Sequence, residues 1–268
     1  MKTNRLVNLS ILIVFLIPHL GGLSAVQAAP GVIYVDIDAI TGADDGTSWD
    51  DAYIDLQSAM ASALPTDELW VAEGMYKPTS GTDRVASFQL LSNVALYGGF
   101  SGTEVNRDDR DWTAHLTVLS GDIGTAGLAD DNSYHVVTGS DTDSSAVLDG
   151  FTITGGQADG TDLDGNGAGM VNENGSPTLI NLIIRDNHAL MQGGGMHNFQ
   201  GDPTLMHVLF DTNSVISGRG GGMQNTKSNP VLVNVVFRSN SSPDYGGGMH
   251  NWTSNPTLVN VVFSGNHA

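Results

Sequence analysis

Beyond Gly167 the apolar residues come in short bursts of Val, Ile, Leu and Phe, broken at regular intervals by Gly, Pro and Asn. Four successive segments read GAGMVNENGSPTLINLIIRDN, GGGMHNFQGDPTLMHVLFDTN, GGGMQNTKSNPVLVNVVFRSN and GGGMHNWTSNPTLVNVVFSGN. Met170, Met196, Met223 and Met249 are spaced 26, 27 and 26 residues apart, and so are Pro177, Pro203, Pro230 and Pro256. A fixed period means one supersecondary unit stacked repeatedly. Clustered Gly, a Pro and a β-branched run exclude a helical repeat. The pattern predicts an all-β fold, a parallel β-helix with three short strands per coil and about 26 residues per coil. Coils stacked at the strand spacing of ~4.8 Å bring equivalent residues directly above one another.

Stacking explains the phase-locked asparagines, because an amide can pass hydrogen bonds to its copy one coil away. Three such columns are expected: Asn172, Asn198, Asn225 and Asn251; Asn187, Asn213, Asn240 and Asn266; and Asn181, His207, Asn234 and Asn260. His207 reads as a tolerated exception in the third. The strand PTLVNVVF admits two phases. Strict alternation buries Val259, Val261 and Phe263, whereas a bend at Asn260 buries Leu258, Val261 and Phe263, and the bend is favoured. It leaves Ile180, Met206, Val233 and Val259, with Ile183, Leu209, Val236 and Val262, as two outward apolar columns. These are either a contact surface or simply core.

Residues 30–165 show no strict period, yet strand-like pieces recur at Ile33 to Val35, Leu69 to Val71, Val94 to Tyr97, Thr117 to Leu119, His135 to Val137 and Val147 to Thr154. Asp55 to Leu64 predicts a helix with Leu56, Met60 and Leu64 on one face, stopped by Pro65. It would cap the open end of the solenoid.

These features carry a resemblance. The segment DDAYIDLQSAMASALPTDELWVAEGMYKPT resembles the opening of pectin-lyase-like right-handed parallel β-helix proteins. VALYGGFSGTE, RDDRDWT, TVLSGDI, DNSYHVVTGS and VLDGFTITGG resemble secreted bacterial β-helix repeat proteins. The Gly-Gly-apolar motif and the Phe-x-x-Asn motif, at Phe210 with Asn213, Phe237 with Asn240 and Phe263 with Asn266, are similar to polymorphic outer-membrane protein repeats. The resemblance implies a right-handed coil and a surface-associated or secreted protein with a structural, adhesive or binding role. It also admits a calcium-dependent polysaccharide lyase or glycoside hydrolase. Members usually continue into further coils and an anchor, whereas this sequence stops at Ala268. The expectation is a fragment, or a last coil covered by another copy.

Charge and termini complete the picture. Lys2 and Arg5, the apolar stretch Leu6 to Ile17 and Val26-Gln27-Ala28 read as a secretory signal over residues 1–29, cut after Ala28 or Ala29. The expected divisions are therefore 1–29, an irregular acidic part 30–165 and a regular part 166–268. Export implies secretion or display at the cell surface or outer membrane, with no membrane-spanning helix after cleavage. The net charge of −19 excludes a phosphate-tracking nucleic-acid binder, and the absence of Cys excludes disulfides. Acidity is concentrated between Pro30 and Gly165, with 24 acidic against 4 basic residues. Across the end of this stretch, Asp162-Leu163-Asp164-Gly165-Asn166-Gly167, followed by Glu173, satisfies the calcium-loop formula D-x-D-x-N-G-x5-E. This makes Asp162, Asp164, Asn166 and Glu173 candidate calcium ligands, with Asp159 as a neighbour. Context opposes an EF-hand, since Ala168 to Glu173 belongs to the first repeat.

No catalytic residue is assigned. Arg185, Asp211 and Arg238 share a column and read as a surface charge ladder. His188 with His267, and His197 with His250, also share columns but lie two or more coils apart, and read as exposed turn residues. The expected partners are a polysaccharide or a host or envelope surface protein, with end-to-end or lateral self-association.

Overall fold

The computed structural model describes residues 31–268, so the expected export signal lies outside the described residues. The chain winds into a parallel β-solenoid of about seven turns, each of about 27 residues. Three main sheets form its sides. The first face has eight strands, from Val32–Val35 to Thr257–Val259; the second has seven, from Gly74–Tyr76 to Val262–Ser264; the third has six, from Phe88–Gln89 to Met249–Trp252. A narrow fourth sheet of two-residue strands, Gln157–Ala158, His188–Ala189 and Ser214–Val215, was not expected. All ladders are parallel, with one register shift, between Glu68–Ala72 and Ala95–Phe100, and the regular coils are in register: Met170, Met196, Met223 and Met249 align, as do Ile184, Phe210, Phe237 and Phe263. No helix among the described residues is long and apolar enough to cross a membrane.

One core runs the length of the coils. Phe210, Phe237 and Phe263 stack with centroids 4.8 and 4.9 Å apart and planes within 8°, so aromatic stacking follows the coil spacing. The favoured bend is present, although of the residues it was expected to bury at Asn260 only Val261 packs on the core, and Leu258 and Phe263 are exposed in the last described coil. Asn181, His207, Asn234 and Asn260 all have φ between 51° and 56°, the left-handed region that Asn tolerates best. That single residue turns the chain from the first face to the second and resets the alternation. Leu179 and Leu182 therefore both point inward, while Ile180 and Ile183 are half-buried outside. In the preceding coil the same turn is made by Gly150, with φ 87°, so Val147 to Thr154 is two strands, Val147–Asp149 and Phe151–Thr154.

Two asparagine columns are continuous inside the coil. From Asn172 to Asn251 each amide donates to the next carbonyl at 2.8 Å. From Asn187 to Asn266 the side-chain oxygens accept from both the backbone N–H and the amide of the preceding copy, at 2.9–3.2 Å. The first ladder ends at Gly139, where a Cβ would collide with Asn172 Oδ1.

The helix spans Leu56–Ser62, shorter than expected, and packs against Val32–Val35 and Glu68–Ala72. Asp55 caps it by accepting from the backbone N–H groups of Gln57 and Ser58. Leu56, Ala59 and Met60 are buried, but Leu64 is exposed, a correction to the expected apolar face. Leu64 precedes Pro65, which disfavours helical backbone there, and Ala63 is already extended.

Candidate functional site

The outer side of the third face carries the densest chemistry. On each strand Met and the ladder Asn point inward, so the alternate residues point outward. Three outward columns result. Asn166, Gln192, Arg219 and Tyr245 form one, aligned through isolated bridges. Val171, His197, Gln224 and His250 form the second, and Glu173, Phe199, Thr226 and Trp252 the third.

Two recesses lie on this face. One, of about 240 Å³, is lined by Leu163, Glu173, Gln192, His197, Phe199 and Thr226. The other, of about 380 Å³, includes Gln192, Arg219, Gln224, Thr226 and Trp252. Gln192 and Thr226 line both, so the two recesses adjoin and outline a groove across successive coils. Arg219 lies 5.2 Å from the Tyr245 ring and 5.3 Å from that of Trp252. His250 Nδ1 pairs with Gln224 Oε1 at 2.8 Å, and burial beside Arg219 holds its pKa below the ordinary histidine range.

His197 and His250 are therefore strand residues, not exposed turn residues as the sequence suggested. His197 is only 4% exposed, and neither ring nitrogen has a hydrogen-bond partner. Burial, with a smaller contribution from His135, lowers its pKa to about 4, so the imidazole is neutral at ordinary pH. Glu173, at the other side of the recess, is pushed upward by burial and by Asp141.

Of the expected calcium residues, Glu173 alone is among those lining the two recesses. Asp162 and Asp164 lie on a short 3₁₀ turn, Asp162–Gly165, and the Asn166 amide donates to the Asp162 carbonyl at 2.9 Å. Asp164 faces His135, whose Nε2 is 3.8 Å away, and Asp159 is paired with Arg84 at 2.7 Å. Glu173 closes the strand Met170–Glu173 and faces the recess. No three His, Asp or Glu side chains converge on a common point among the described residues.

The remaining candidates are placed as follows. Arg238 grips Asp211 with two bonds at 2.6 and 2.9 Å, while Arg185 lies nearer Asp186, at 3.5 Å, in the expected exposed ladder. His207 Nε2 meets Asn234 Nδ2 at 2.9 Å, and Asn181 donates to Asp149 instead of to His207. The outward apolar columns begin beside the loop 101–116. Trp112 and Leu116 of that loop, with Ile183 and Leu209, line a cleft of about 300 Å³. No known protein family, curated protein or solved structure matches the chain.

Proposed function

We propose that this chain is an exported, surface-associated β-helix that binds an extended carbohydrate along the outer groove of its third face, without transforming it. The observation that carries the reading is Phe199 and Trp252 in one column, two coils apart, flanked by Gln192, Gln224, Arg219 and Thr226. Aromatic faces offer apolar area to the flat side of a pyranose, and the amides, guanidinium and hydroxyl offer donors and acceptors to its edge. The coil spacing is close to the length of one sugar unit, so a chain laid along the axis meets the same columns again at each step. Export is supported by the sequence pattern of residues 1–29. In this reading the helix Leu56–Ser62 serves as the N-terminal cap.

Binding is favoured over hydrolysis because a glycosidase sets two carboxylates across the scissile bond, and the residues lining this groove include one, Glu173. The test is calorimetric titration with neutral and acidic tetrasaccharides, combined with a search for released products. Binding without turnover, weakened about tenfold by Trp252→Ala, is the expected result, since that loss corresponds to about 1.4 kcal/mol. Turnover that disappears with Glu173→Gln would replace this reading with an enzymatic one.

A further inference from the structure

The dipeptide Asn-Gly occurs twice, at Asn166-Gly167 and Asn174-Gly175, and the coil treats the two oppositely. Glycine after asparagine matters chemically, because without a Cβ its backbone nitrogen is free to reach back to the amide carbon of the preceding side chain. Asn166 is held against this. It is buried, its amide donates to the Asp162 carbonyl at 2.9 Å, and the Gly167 N–H donates to the Gln192 carbonyl at 2.8 Å. Asn174 is exposed, and its side chain makes no hydrogen bond among the described residues. The backbone beside it differs because of stacking. Gly175, Gly201, Ser228 and Ser254 occupy one corner of successive coils, each following a left-handed residue, Asn174, Gln200, Lys227 or Thr253, with φ between 52° and 57°. Gly201 N–H donates to Ser228 Oγ at 3.2 Å, and Ser228 N–H donates to Ser254 Oγ at 3.0 Å. Gly175 faces Gly201, whose missing Cβ would lie 2.7 Å from its nitrogen, so no hydroxyl is there to accept. Among the described residues neither the Gly175 N–H nor the Asn174 carbonyl has a hydrogen-bond partner. Gly175 is buried, and left-handed backbone at Asn174 holds the nitrogen away from the side chain, so this peptide unit must turn before the two meet. No hydrogen bond opposes that turn.

We infer that Asn174 is a site of spontaneous imide formation, converted in the folded protein to aspartate and isoaspartate while Asn166 is spared. The Gly175 nitrogen attacks Asn174 Cγ: the N–Cγ bond forms, the Cγ–Nδ2 bond breaks, and the proton from the Gly175 nitrogen leaves with ammonia. Water then opens the five-membered imide. Cleavage of the new N–Cγ bond gives aspartate on an unchanged main chain. Cleavage of the original bond, between the Asn174 carbonyl carbon and the Gly175 nitrogen, gives isoaspartate, whose main chain runs through the former side chain. Either product adds a carboxylate at the residue next to Glu173, which lines the recess. The inference is independent of what the groove binds.

The test follows both dipeptides in the full chain, folded in mildly alkaline buffer and unfolded in guanidinium chloride, by peptide mapping that separates the asparagine, aspartate and isoaspartate forms. In the unfolded chain the two sites should react at similar rates, since each is asparagine followed by glycine. In the folded chain Asn174 should react at least about tenfold faster than Asn166, which alone must first break two hydrogen bonds of ordinary strength. Asn174→Gln, whose longer side chain would have to close a six-membered ring, should remove the signal from its own peptide and leave that of Asn166 unchanged. Equal rates at the two sites of the folded chain, or faster reaction at Asn166, would overturn the assignment. So would an Asn174 that reacts only when the chain is unfolded.

Discussion

The two halves of the solenoid build the same cross-section by different means. In residues 166–268 each coil repeats its predecessor, so the ladder and bend positions are filled by stackable side chains: Asn in the two inner ladders, and Asn or His in the left-handed bend. In residues 31–165 the bend is made once by a glycine, Gly150 with φ 87°, while in the coil before it Gly99, with φ 95°, is a bulge in the strand Ala95–Phe100 and the loop 101–116 takes the place of the bend, with no amide ladder beside it. A clamp takes the ladder's place. Arg110, from the loop 101–116, donates to the Gly98 carbonyl and pairs with Asp149 at 2.7 Å, both side chains being at least nine-tenths buried. Its guanidinium also lies 5.2 Å from the Tyr97 ring and 5.0 Å from that of Trp112. A repeated coil can be supported by its neighbours alone. An irregular coil needs a long-range tie of its own.

The sharpest way to break this comparison is to remove the clamp. Arg110→Ala leaves the Asp149 carboxylate buried without its cation, and should cost about 3–5 kcal/mol in urea unfolding. Arg110→Met combined with Asp149→Leu should recover most of that loss, because the penalty belongs to the stranded charge.

A second effect belongs to the regular half and depends on pH. The ordinary histidine pKa of 6.5 falls to about 4 at His197 in the folded chain. Between these values the unfolded chain binds a proton that the folded chain does not, so stability falls as pH drops from 6.5 towards 4 and then levels off. A difference of this size corresponds to roughly 3 kcal/mol across the window. His135, also held low by burial, adds a contribution of the same sign. The midpoint in urea, measured at several pH values, should therefore decline less steeply in His197→Gln, without becoming flat. An unchanged slope would mean that His197 is not buried as described.

The smallest of the three effects tests the ladder. Asn213→Ala removes the oxygen that accepts from Asn187 N–H and Nδ2, and the amide that donates to Ile184 O and Asn240 Oδ1. Asn187 keeps its bonds to Ile153 O and Arg185 O, so the expected cost is about 2 kcal/mol. An effect as large as that of Arg110→Ala would show that the ladder, too, depends on one irreplaceable tie.

What could be read from the sequence follows the same division. Phase-locked Met, Pro and Asn revealed the coils, the ladders and the bend at Asn260, because periodicity reports stacking directly. The irregular half hid the strands Gly74–Tyr76 and Phe88–Gln89, whose short runs sit among turn residues and have no copy to align with. Val147 to Thr154 looked like one strand because Gly150 in VLDGFTIT replaces the Asn that marks the bend elsewhere. His197 was misplaced for another reason. The alternation of Met196 and Asn198 inward already set its side chain on the outer face, but its 4% exposure is set by the neighbouring coils, which that alternation does not show. Local pattern determines which way a residue faces, and only the assembled coil determines what covers it.

The most direct test of a groove made from stacked columns is the dependence of affinity on ligand length. Titration with neutral oligosaccharides from one to six units should show affinity rising with each added unit up to about four, one for each coil from Glu173 to Trp252, and then levelling off. Equal affinity for the monosaccharide and the hexasaccharide would contradict the account, since it would leave a single isolated pocket where the structure places adjoining recesses on successive coils.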